Sequence, residues 1–153
     1  MLKPVVVVAL LGVVFAQWGC SSFQTHAARD LRAIARNPDA HRGQMYAFYG
    51  RVIDASENAT GLTLQMVVED SPQIPGELLV AHFPARGTKV ARGDNAKVLG
   101  RITSRVRGPN AFGGVAEGVG MDAIAVRAAG GGYLPSEEDS YRAWERGTLF
   151  TRR

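Results

Sequence analysis

Between residues 45 and 127 the sequence falls into five short apolar stretches of period two, separated by turns and with no helical pattern between them. Side chains on a strand alternate between two faces. Leu62, Leu64, Met66 and Val68, interleaved with Thr63, Gln65 and Glu69, therefore predict a strand buried on one side. The other stretches are 45–53, 77–83, 96–103 and 121–127. Five strands in a row exclude a parallel sheet built on crossover helices. They predict an all-β fold, a small five-stranded antiparallel barrel. Gly50 and Gly100 stand inside the first and fourth stretches, where bends or bulges curl a barrel strand. Val52, Leu64, Val98, Ile102, Ile124 and Val126 are the predicted core.

A short helix precedes the barrel and another follows it. Ala27, Ala28, Leu31, Ile34 and Ala35 recur at helical spacing, and Pro38 ends the pattern near Asn37. Ser136, three residues before Asp139, reads as a cap for a helix running through Trp144 and stopped by Gly147. The length of 153 residues suits one domain with a substantial core.

The amino-terminal segment has a different logic. Lys3 is followed by an apolar run at 5–16, then Gln17, Trp18, Gly19 and the only cysteine, Cys20. A positive start, a short apolar core and a small residue describe an export signal. The apolar run is too short to span a bilayer, which takes about 20 residues. Gly19-Cys20 resembles the lipobox of bacterial lipoproteins. That resemblance implies cleavage before Cys20, acylation of its thiol and of the new amino terminus, and a membrane partner reached through lipid. An uncleaved anchor or an ordinary signal is the alternative. The expected organisation is a signal peptide at 1–19, a polar tether at 20–25, the barrel domain at 26–132, and a C-terminal helix and tail at 133–153. Ser21 lacks the aspartate that would resemble an inner-membrane retention signal, so the same resemblance implies residence in the outer membrane. With the one thiol taken by lipid, no intrachain disulfide forms and packing alone holds the domain.

The strand pattern resembles the OB-fold, and more specifically the Slp-type outer-membrane lipoproteins. The similar pieces are Asn37-Pro38-Asp39-Ala40-His41-Arg42-Gly43, Tyr49-Gly50-Arg51-Val52-Ile53, and Arg92-Gly93-Asp94 leading into Val98-Leu99-Gly100-Arg101-Ile102. The resemblance covers roughly residues 26–128. It implies a binding or structural module in the cell envelope.

No constellation points to catalysis. His26, His41 and His82 lack metal-ligand spacing, so neither a metal nor another cofactor is expected. Ser104, His82 and Asp122 assemble a triad only on paper, because Ser104 lacks a nucleophile-elbow setting. The reading is non-enzymatic. What remains is a surface. OB-folds bind on strands two and three and on the first and fourth loops. Here the fourth connection, 104–120, reads as a long mobile loop carrying Arg105, Arg107, Asn110 and Phe112, the candidate partner-binding residues. Their chemistry suits an envelope protein or an anionic envelope polymer. Nucleic acid is not expected, since the formal net charge of +4 is scattered and aromatic platforms are few. The alternative is a soluble periplasmic protein that binds a small anionic ligand or an oligosaccharide.

Overall fold

The computed structural model describes residues 23–109, 114–128 and 135–150; Cys20, Asn110 and Phe112 lie outside them. The order is α1 (Ala28–Arg36), a 3₁₀ turn (Pro38–His41), β1 (Met45–Asn58), β2 (Gly61–Val68), β3 (Glu77–Phe83), β4 (Asn95–Pro109), β5 (Val115–Ala128) and α2 (Glu138–Glu145). The strands close into a barrel in the order β1-β2-β3-β5-β4, the OB-like barrel read from the sequence. Four pairings are antiparallel and β3–β5 is parallel. A ring with an odd number of strands cannot alternate direction all the way round, so one parallel pair is obligatory.

The interior is filled by alternate residues of every strand, among them Phe48, Val52, Leu64, Met66, Leu79, Val98 and Ile102. Leu31 and Ile34 of α1 plug it, and both are buried. A second, smaller core lies outside the barrel wall. Ala47, Leu99, Ile124 and Ala125 project outward from β1, β4 and β5 and are covered by Phe23, Tyr141 and Trp144. The Trp144 indole donates to the Gln24 carbonyl at 2.7 Å, which ties α2 to the chain entering the domain. This part of the sheet is therefore buried on both faces.

Four expectations change. Ile124 is buried, but in the outer core, whereas Val126 faces the barrel. Alternation predicts both on one side. A register shift in the β4–β5 ladder sends Ile124 and Ala125 out together and reverses the parity beyond them. Ser136 is not the α2 cap: Glu137 holds that position, and the Ser136 hydroxyl donates to the Ile124 carbonyl at 2.7 Å. Phe23 is packed, so the end of the expected tether is fixed to the domain. Finally, 104–120 is not a long loop, since β4 runs to Pro109 and β5 starts at Val115. Gly147 does end α2. At a φ of 78° Gly43 and 72° Gly147 take the left-handed conformation, and Gly147 and Thr148 return hydrogen bonds to Trp144 and Ala143.

Candidate binding surface

The α2 helix and Phe23 cover the outer wall of β1, β4 and β5, and among the described residues neither packs on the outer wall of β2 and β3, where Leu78 is nonetheless buried. The outward residues there are Thr63, Gln65 and Val67 on β2 and Leu78, Val80 and His82 on β3, since their neighbours line the interior. Apart from the imidazole, no ring of the described residues stands on this face.

Strand register then brings together residues far apart in the chain. Ser56 pairs with Thr63, Thr63 with His82, His82 with Asp122, and Asp122 with Arg101. Arg101 closes the row on Glu137 through two bonds, 2.5 and 3.0 Å. The result is a continuous polar row across the barrel wall, ending at the start of α2. Its last members line a cleft of about 460 Å³ with Pro84, Ile124 and Ser136. The Arg101 guanidinium holds the Glu137 carboxyl below the usual glutamate range, and Glu137 in turn raises Arg101. Beside this row the side-chain oxygen of Gln65 is shielded and has no hydrogen-bond partner among the described residues.

The row is not a catalytic triad. Thr63 Oγ1 lies 3.3 Å from His82 Nδ1, and among the described residues His82 bonds neither Asp122 nor Ser104. The bond from carboxylate to imidazole that orients a general base is missing. Among the described residues no three His, Cys, Asp or Glu side chains are grouped to hold a metal ion.

Arg105 and Arg107 lie on β4, not on a loop. Both face Glu117 of β5, at 3.5 and 3.2 Å, and Arg105 also donates to the Ala35 carbonyl. One carboxylate is shared by two cations, so the pair offers less positive charge than the sequence suggests. Gly118 and Gly120, inside the stretch expected to be a mobile loop, are buried strand residues. A Cβ on Gly118 would sit 2.3 Å from the Leu78 carbonyl oxygen. Sequence reasoning named Thr63 and Gln65 as face residues but missed the row, because Asp122 and Arg101 join it only through register.

No protein-family model matches this chain, and no curated protein matches it either. Among solved structures it is similar to a mitochondrial single-stranded DNA-binding protein of S. cerevisiae, with 10% identity and a TM-score of 0.41, covering 59% of this chain and 98% of that one. It is also similar to a putative aspartyl-tRNA synthetase of Leishmania major Friedlin, with 11% identity and a TM-score of 0.46, covering 85% of this chain but only 23% of the other. At these values neither likeness bears on what this chain binds.

Proposed function

We propose that this chain is a non-enzymatic lipoprotein of the bacterial outer membrane, anchored through Cys20, whose OB-like barrel binds a hydrogen-bonding polymer of the cell envelope. One observation carries the binding role. The C-terminal helix covers part of the outer wall of β1, β4 and β5 with a core of its own, while among the described residues that core does not extend over the polar row from Ser56 to Arg101. Hydroxyl, imidazole, carboxylate and guanidinium follow one another along it. That alternation of donors and acceptors suits a polyhydroxylated strand such as a wall glycan. It suits a polyanion less well, since Arg101, Arg105 and Arg107 each already face a carboxylate. Nucleic acid is disfavoured because stacking, worth about 1–3 kcal/mol per base, has no phenyl, phenol or indole platform on β2 and β3.

A soluble periplasmic oligosaccharide binder would use the same row, so anchoring separates the two readings. Mass spectrometry of the membrane fraction is the test. The lipoprotein reading expects a mature chain beginning at an acylated Cys20, and release from the membrane in Cys20→Ser. A mature chain starting elsewhere, or an unmodified thiol, overturns the anchor.

A further inference from the structure

The chain enters the domain at Phe23, which is buried against Tyr141 and Trp144 with its ring centroids 5.7 and 5.0 Å from theirs. Cys20 precedes it by three residues, a reach of about 11 Å at most. A lipid on Cys20 would therefore leave no long leash. It would hold the region around Phe23 against the bilayer.

That region has the chemistry of a membrane interface. Tyr49 of β1, Lys97 of β4 and Arg127 of β5 are register neighbours in one row. All three point outward, because Phe48, Val98 and Val126 beside them line the barrel. The Arg127 guanidinium lies 4.1 Å above the Phe23 ring, and Lys97 Nζ donates to the Phe23 carbonyl at 3.4 Å. Tyr49 is 47% exposed, a large ring left open to solvent. Arg51, the next outward residue of β1, is exposed and forms no ion pair among the described residues. An amphipathic ring among snorkelling cations is how proteins seat themselves at the level of lipid headgroups.

We propose that Tyr49, Arg51, Lys97 and Arg127 form a docking face for a phospholipid surface with anionic headgroups, set by the fixed point at Phe23. This rests on the lipoprotein reading and adds an orientation to it. Along β4, Lys97 and Arg101 are separated by about 13 Å at strand rise, with Leu99, which α2 covers, between them. The docking face and the polar row therefore occupy different parts of the wall, and the row remains open while the barrel is seated. Burial and the neighbouring Arg127 both hold Lys97 below the usual lysine range.

Photocrosslinking of the full chain in membranes tests this. A benzophenone amino acid is placed at Tyr49 in one protein and at Ser56, at the far end of the polar row, in another. Lipid adducts are expected at position 49 and at least tenfold fewer at 56. In vesicles of phosphatidylethanolamine with phosphatidylglycerol, Lys97→Gln with Arg127→Gln should lower the adduct yield several-fold, each cation near such a surface being worth about fivefold in partition. Unchanged thermal unfolding of that variant excludes misfolding as the cause; if it does misfold, the comparison of positions 49 and 56 decides alone. Equal adducts at both positions, or none at 49, overturn the docking face. Mass spectrometry of Cys20 in the same sample judges the anchor separately. If the thiol is unmodified, the chain is coupled through it to a maleimide lipid and the same comparison decides the face.

Discussion

Asp70, in the connection between β2 and β3, caps α1 across the molecule: its carboxylate accepts the Ala28 N–H at 2.6 Å, and also the Arg29 N–H at 3.2 Å. The first amides of a helix have no partner within it, and Ala27 at the N-cap has no side-chain acceptor to give them. Asp30 satisfies only the Ala27 amide. The carboxylate of Asp70 supplies the rest and locks the plug to the barrel. Asp70→Ala should cost about 1 kcal/mol, the usual value of a helix cap, and Asp70→Asn clearly less. Denaturant unfolding of the two variants measures the difference.

The pair Arg101 and Glu137 makes the seating of α2 sensitive to acid. Glu137 titrates below its ordinary value in the folded state because Arg101 bonds the charged form. A lowered carboxyl contributes stability above its unfolded pKa, about 4.3, and loses it as pH falls through the folded value. The protection of the α2 amides against hydrogen exchange, relative to the intrinsic rate at each pH, should therefore fall below about pH 4. In Glu137→Gln the exchange should be faster at neutral pH and lose that acid step.

The glycines of β5 are predicted to be there for packing. Gly118→Ala would drive a methyl into the Leu78 backbone, which cannot rotate away. A loss of roughly 1–3 kcal/mol is expected, as for other overpacked sites. A neutral effect on the melting temperature would restore the reading of a slack loop.

Strand existence and barrel closure were legible because period two is written into residues such as Leu62, Leu64, Met66 and Val68. What was not legible depended on register. A bulge in β5 reverses parity between Ala123 and Val126, and alternation alone cannot announce it. The hairpin arms 104–109 and 115–120 look like loop because glycine lowers strand propensity. Here it marks close approach of another backbone. The polar row escaped for the same reason: Thr63, His82, Asp122 and Arg101 sit on four strands and share nothing in sequence.

Leu64 is fully buried in the barrel, and Thr63 beside it faces outward. Leu64→Ala should cost about 2–5 kcal/mol, in line with large-to-small core changes. Thr63→Ala removes one long hydrogen bond and should cost well under half as much. Equal losses in thermal melts would mean that the register of β2 is wrong.

The central claim is that the polar row binds an envelope glycan. It is tested most directly by the binding isotherm of the full chain on isolated cell-wall glycan, compared across variants. His82→Ala and Asp122→Asn should each weaken binding by roughly tenfold, the equivalent of about 1.4 kcal/mol. Arg107→Ala, away from the row, should leave it unchanged. Undiminished binding in both row variants, or a loss confined to Arg107→Ala, would contradict the account.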